Sequence, residues 1–186
     1  MDDRQLLDMV IRAKDAFGVK CSKYYGAVAV ECIRRAFGEH GISTSSRDVF
    51  ISKVPVEIDL IIPRAEAAPE HGIVYSARDV LVALEIKASG AYGDATHKHT
   101  GCAFQLISKQ NPQTRCAYVA VAERANYRWA VSKENLGFPA YTLFFHKGSP
   151  KKLDDYESTG DWQRLMKDIG SWCSSANRKA RPSRRN

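Results

Sequence analysis

Two apolar segments set the terms for this chain. Val56-Glu57-Ile58-Asp59-Leu60-Ile61-Ile62 and Val80-Leu81-Val82-Ala83-Leu84-Glu85-Ile86-Lys87-Ala88 are built from the aliphatic and β-branched residues that favour strands. Side chains alternate faces along a strand, so Val56, Ile58, Leu60 and Ile62 are expected on one face, with Glu57 and Asp59 on the other. In the second segment Val82, Leu84, Ile86 and Ala88 share a face, opposite Glu85 and Lys87. Apolar residues nearly end to end mark both as interior strands. A charge on an interior strand is costly unless it is paired or bound to a metal. Acids late in both strands therefore need a chemical reason.

The rest of the chain supplies helices to cover such strands. Asp3 to Phe17 and Ser22 to roughly Phe37 carry apolar residues at helical spacing, the second closed by Gly38 and Gly41. Asp48 to Lys53 reads as a strand and Pro63 to Ser76 as a loop excursion. Thr100 to Lys109 is expected as a helix stopped at Asn111-Pro112. Cys116 to Ala122 and Tyr141 to His146 read as strands, separated by an amphipathic stretch around Tyr127–Leu136. Asp161 to Trp172 closes the series as a helix. This order predicts an α/β domain over 1–175, a central mixed sheet flanked by helices, followed by a flexible basic tail over 176–186.

Charge and cysteine content narrow the partners. The 186 residues carry a formal net charge of +7. Five basic residues and no acid lie in the tail (Arg178, Lys179, Arg181, Arg184 and Arg185), so the remainder is close to neutral. The tail is either a solvated end or an arm for phosphates. Five cysteines without C-x-x-C spacing argue against a disulfide framework or zinc ribbon and for reduced thiols in the cytoplasm. They read as small buried hydrophobes. No apolar run has the length of a membrane span, and no signal peptide is evident.

A divalent cation is the reason preferred for the buried acids. Mg²⁺ takes oxygen ligands, commonly one or two carboxylates with waters and substrate phosphate, and Mn²⁺ can substitute. Asp59 and Glu85 would supply carboxylates and the Ile86 carbonyl a third oxygen. Such an ion lowers the pKa of a bound water and polarises a phosphoryl oxygen. Lys87, pointing into the same site, would orient the attacking water or offset charge on the phosphate.

Asp59 followed by Glu85-Ile86-Lys87, with 25 residues between the two acids, resembles the PD-(D/E)XK nuclease superfamily. The order of elements from about Ser22 to Glu123 is similar as well. The resemblance implies the restriction-endonuclease-like fold, hydrolysis of DNA, Mg²⁺ as cofactor, Asp59 and Glu85 as metal ligands and Lys87 as the catalytic lysine. It also implies an acid from the leading helix, matched by Glu31, and in some members a polar residue on the helix after the lysine strand, matched by Gln105. Ile58 stands where many members have proline. Gln105 is followed four residues on by Lys109 instead of tyrosine, so the RecB-type exonuclease branch is not supported and an endonuclease is preferred. Many relatives dimerise to cut both strands, and a homodimer is allowed here, although no heptad or apolar patch marks an interface.

Other residues have two readings. Glu31 completes the site or pairs with Arg35 one turn on. Glu57 assists Asp59 or faces solvent, and Gln105 lies in the site or on the helix surface. Lys98, Lys109 and Arg115, with Arg178 and Lys179 of the tail, are the basic residues expected to hold a phosphate backbone. His97-Lys98-His99 lacks the further ligand that zinc needs. Trp129, Trp162 and Trp172 read as core. Two non-enzymatic alternatives stand beside the metal-dependent DNase: a nucleic-acid-binding module of the same fold, and an interaction domain of a defence or toxin system.

Overall fold

The computed structural model describes residues 1–17, 22–88, 94–126, 137–150 and 152–179. Two helices open the chain, α1 (Asp3–Phe17) and α2 (Ser22–Glu39). A reciprocal cap starts α1: the Gln5 N–H donates to Asp2 Oδ1 at 2.8 Å, and the Asp2 N–H to Gln5 Oε1 at 3.0 Å. Leu6, Leu7 and Val10 bury one stripe of α1, and Ala29, Val30, Ile33, Ala36 and Phe37 bury one of α2. α2 ends at Gly41, whose φ of 73° is a left-handed value that side chains resist. The Ile42 N–H reaches back to the Phe37 carbonyl at 2.9 Å and the Gly41 N–H to that of Gly38 at 3.0 Å, a Schellman closure. Of the two glycines expected to end this helix, Gly41 does so and Gly38 lies inside it.

Two sheets follow. β1 (Val49–Ile51), β2 (Glu57–Ile58) and β4 (Val74–Tyr75) form a small one in the order β2-β1-β4. β3 (Leu60–Pro63), β5 (Val80–Lys87), β6 (Arg115–Arg124), β7 (Ala140–His146) and β8 (Tyr156–Ser158) form the larger one in that spatial order. β5, β6 and β7 are parallel, and the flanking strands β3 and β8 run antiparallel to their neighbours. α3 (Asp94–Gln110) crosses from β5 to β6, and α4 (Asp161–Lys179) closes the chain. α4 continues past Trp172 through 176–179, so the beginning of the basic tail is helical; 180–186 lie outside the described residues.

The large sheet separates two apolar layers. On one side α1, α2 and α4 cover Leu60, Ile62, Leu84, Ile86, Val119 and Leu143, with Phe37 and Trp162 stacked at 6.1 Å. On the other, Phe104 and Ile107 of α3 and Val49, Ile51 and Ile58 of the small sheet cover Ile61, Ala83 and Tyr118. Among the described residues, no helix is long and apolar enough to cross a membrane.

The run from Val56 to Ile62 departs from expectation. It breaks at Asp59 into β2 and β3, which belong to different sheets. Ile58 therefore packs in the α3-side layer, while Leu60 and Ile62 pack in the opposite one, so the expected common face does not exist. β5 is interior, as expected, but β3 is an edge of its sheet. Its apolar character comes from Ser45 covering that edge. The Ser45 N–H donates to the Ile61 carbonyl at 2.9 Å, and the Ile61 N–H donates to Ser45 Oγ at 3.1 Å. One hydroxyl thus satisfies a buried amide that an ordinary edge would leave open. Ser45→Ala orphans that amide and should cost about 1–2 kcal/mol of stability in urea unfolding, against less than about 0.5 kcal/mol for the exposed neighbour Ser46→Ala.

Candidate metal and phosphate site

The break at Asp59 builds the site. Leu60 pairs with Leu84 in antiparallel register, so one position further places Asp59 beside Glu85. There β3 has ended, and β5 continues for two more residues. A strand residue presents its N–H and C=O to the same side, so Ile86 turns both toward the space β3 has left. The Asp59 carboxylate fills part of it: the Ile86 N–H donates to Asp59 Oδ2 at 2.6 Å. Lys87 Nζ lies 3.3 Å from the same oxygen and 2.6 Å from Glu85 Oε1. Asp59, Glu85, Lys87 and the Ile86 backbone thus converge at the C-terminal end of β5, on the face toward α3.

The group is mostly shielded from solvent, with side-chain exposures of 20% for Asp59, 11% for Glu85 and 31% for Lys87. Burial pushes Asp59 above the usual carboxylate range, against Lys87 and the Ile86 amide, which pull it down. Burial raises Glu85 too, and the Asp59 charge adds to it, while Lys87 and a hydrogen bond from Thr100 oppose the rise. Burial also pulls Lys87 down, but the two carboxylates outweigh it and its pKa is raised. Two acids share one ammonium, so the fully ionised cluster keeps an uncompensated negative charge.

That imbalance and the hard oxygen donors suit a divalent cation. Asp59, Glu85 and the Ile86 carbonyl are the groups that would hold it. Two carboxylates with open coordination left for waters and substrate is the pattern Mg²⁺ accepts. Among the described residues no set of three or more His, Cys, Asp or Glu side chains forms an all-protein cage.

The other expected residues are placed as follows. Glu31 is held by its own helix: Arg34 Nε donates at 2.8 Å to one oxygen and Arg34 NH2 at 2.9 Å to the other, and Arg35 Nε reaches it at 3.2 Å. The Arg34 bond is the main reason its pKa is lowered. No hydrogen bond or ion pair joins Glu31 to Asp59, Glu85 or Lys87 among the described residues, and α2 packs on the opposite face of the sheet. Glu57 is exposed on β2, cut off from Asp59 by the strand break, and Gln105 is exposed on α3. Lys109 and Arg115 are exposed at the far end of the sheet. Arg115 pairs with Val82 while Ala120 pairs with Lys87, so roughly 16 Å of strand lies between them. The side chains at 97–99, 178 and 179, and Trp129, lie outside the described ones. Cys32 and Cys116 are buried as expected, the Cys116 thiol pushed up to about 12 by burial, but Cys102 is exposed.

Two residues near the site are new. Asp48, at a left-handed φ of 58°, donates its N–H to the Asp59 carbonyl at 3.1 Å, and its charge adds to the rise at Asp59. Thr100, on α3, is buried against Glu85. Its signal was present in the sequence. Positions 100, 103, 104 and 107 form a helical stripe with Ala103, Phe104 and Ile107, so a hydroxyl at 100 faces inward.

No family model matches the sequence, and no curated protein does. Among solved structures, the chain is similar to NucC of P. aeruginosa ATCC27853 in its cAAA-bound form. The TM-score is 0.61 at 9% identity, over 91% of this chain and 88% of that one. Likeness over nearly the whole of both chains shows a shared fold, and the mixed α/β sheet flanked by helices is the class expected from the strand and helix order.

Because burial and the Asp59 charge raise the folded-state pKa of Glu85, its ionisation destabilises the metal-free fold. At a pH below both its folded and unfolded values the group is neutral in both states, and the penalty is absent. As pH rises through the unfolded value toward the raised folded one, the penalty develops. Glu85→Gln removes it. In chelator, the stability of the variant relative to the unsubstituted protein should therefore grow as pH rises from about 4 to about 7.5 by urea unfolding. A difference that shrinks with pH would contradict this electrostatic account.

Proposed function

We propose that this protein is a metal-dependent nuclease of the PD-(D/E)XK type that hydrolyses phosphodiester bonds of DNA, with Mg²⁺ as cofactor and Mn²⁺ as substitute. The carrying observation is the convergence of Asp59, Glu85 and Lys87, with Lys87 Nζ at 3.3 and 2.6 Å from the two carboxylates. The shared fold supports the reading without fixing the activity.

The residues divide the work. Asp59 and Glu85, with the Ile86 carbonyl, would hold the cation. When bound, the cation supplies Lewis acidity toward a phosphoryl oxygen and makes a nearby water more acidic. The Ile86 amide fixes Asp59 through a 2.6 Å hydrogen bond, so the carboxylate does not have to be ordered on binding. The two acids raise the Lys87 pKa in the metal-free site, where its ammonium stands as a positive charge beside them. From there it donates to a non-bridging phosphate oxygen or to the attacking water, and it offsets charge as the fifth oxygen approaches phosphorus. Exposed basic side chains supply sequence-independent attraction to the backbone.

Plasmid and linear DNA incubated with the protein test this. Cleavage should require Mg²⁺ or Mn²⁺, stop with chelator, and fall by at least about a hundredfold in Asp59→Ala, Glu85→Ala and Lys87→Ala. Cleavage of plasmid circles would identify an endonuclease. Metal-independent cutting, or cutting that survives all three substitutions, would overturn the assignment. DNA shifted in a gel but never cut, with binding unchanged in Asp59→Ala, would favour a non-catalytic binding module.

A further inference from the structure

We propose that Asp48 is a positioning residue for Asp59: its left-handed backbone closes a β-bulge that aims the Asp59 carboxylate at the cation site. The inference deepens the nuclease reading and rests on it. The segment 45–51 runs antiparallel to 57–61. Val49 pairs with Ile58 and Phe50 with Glu57, and the Asp48 N–H donates to the Asp59 carbonyl at 3.1 Å in the same register. Three residues earlier the register differs. The Ser45 N–H donates to the Ile61 carbonyl at 2.9 Å, and the Ile61 N–H donates to Ser45 Oγ at 3.1 Å, so Ser45 faces Ile61. Three steps on one side thus match two on the other, and Ser46 with Arg47 stands against Leu60 alone. Such an extra residue is a β-bulge, which bends a strand, re-aims a side chain or ends pairing.

The bulge lies beside the point where β2 and β3 part. One step of register moves a strand's side chains to the other face, so the extra residue lets 45–51 follow its partner where 57–61 changes sheet. Asp48 carries the adjustment: its φ of 58° returns the chain to pairing with its N–H toward Asp59. Aspartate is one of the few residues besides glycine that enter this region at modest cost, and a β-branched side chain resists it strongly. The Asp48 carboxylate is 48% exposed and lies 3.8 Å from Arg47 Nε, so it is the Asp48 backbone that holds Asp59. Asp59 is then fixed at two atoms, its carbonyl oxygen by Asp48 and its Oδ2 by the Ile86 N–H at 2.6 Å. Loss of a contact that orients a metal-binding carboxylate typically costs ten- to a hundredfold in metal affinity or activity.

The test compares the full-length protein with Asp48→Gly, Asp48→Asn, Asp48→Ala and Asp48→Val, using Asp59→Ala as the variant without the ligand. Mn²⁺ binding is measured by calorimetry, and plasmid cleavage is followed as a function of Mn²⁺. Near-UV circular dichroism and urea unfolding report fold and stability. All four substitutions at 48 remove the negative charge, but only glycine and asparagine accept the left-handed turn readily. Asp48→Val should bind Mn²⁺ about tenfold or more weakly and need correspondingly more Mn²⁺ for half-maximal cleavage, with Asp48→Ala between it and the unsubstituted protein. Asp48→Gly and Asp48→Asn should stay near the unsubstituted protein. If Asp48→Val does not fold, weaker Mn²⁺ binding in Asp48→Ala than in Asp48→Gly supports the role, and equal binding overturns it. Lower stability in the alanine and valine variants with unchanged Mn²⁺ affinity would make the bulge structural only, overturning the role of Asp48 while leaving the nuclease reading intact. An equal loss of affinity in all four would assign the effect to the carboxylate and overturn the role of the turn as well. An unsubstituted protein that neither binds Mn²⁺ nor cuts DNA would overturn the nuclease reading and this inference together.

Discussion

One carboxylate oxygen, Asp59 Oδ2, accepts from the Ile86 amide at 2.6 Å and from Lys87 at 3.3 Å. Much of the architecture follows from that contact. β5 is an interior strand, and where β3 leaves it, the amide of Ile86 loses the backbone carbonyl it would otherwise meet. A buried amide without an acceptor is expensive. Asp59 stands at the branch and supplies a side-chain acceptor in place of the missing strand. β2 is then free to turn away and pair with β1, which creates the second sheet and opens a gap beside β5. The same substitution of side chain for backbone covers the outer edge of β3, where Ser45 takes the Ile61 amide.

The gap carries an electrostatic cost. Glu85 is buried and Asp59 half-buried, both are raised, and Lys87 is the ammonium that offsets them within the cluster. A fold selected for stability alone would place an amide or an apolar residue at one of these positions. Two carboxylates and one ammonium in a shielded place suit added positive charge, and on the proposed reading a divalent cation with its phosphate would restore the balance. This is where rules of good folding are broken locally and offset by the large apolar layers on either side of the sheet.

Much of this was legible in the sequence because the relevant signals are local. The alternation in Val80–Lys87 placed Glu85 and Lys87 on one face, and helical periodicity located the four α-helices of the described residues. The break at Asp59 was not legible, because Val56–Ile62 has the composition of one continuous strand. Which sheet each half joins is decided by pairing with other strands, β2 with β1 and β3 with β5, which the composition of the run itself does not encode. For the same reason Glu57 appeared to accompany Asp59 and does not. Glu31 has suitable partners both in its own helix and in the proposed site, and sequence spacing does not choose between them; Arg34 and Arg35 win. Gln105 fitted a positional expectation, yet the inward face of α3 is set by the stripe that starts at Thr100.

On the proposed reading, Asp59, Glu85 and the Ile86 carbonyl form one cation site next to Lys87. Anomalous diffraction from crystals soaked in Mn²⁺ tests it most directly. A single strong peak is expected within coordination distance of both carboxylates at the C-terminal end of β5. No peak there, or a peak held by other residues while Asp59 and Glu85 remain bound only to Lys87, would contradict it.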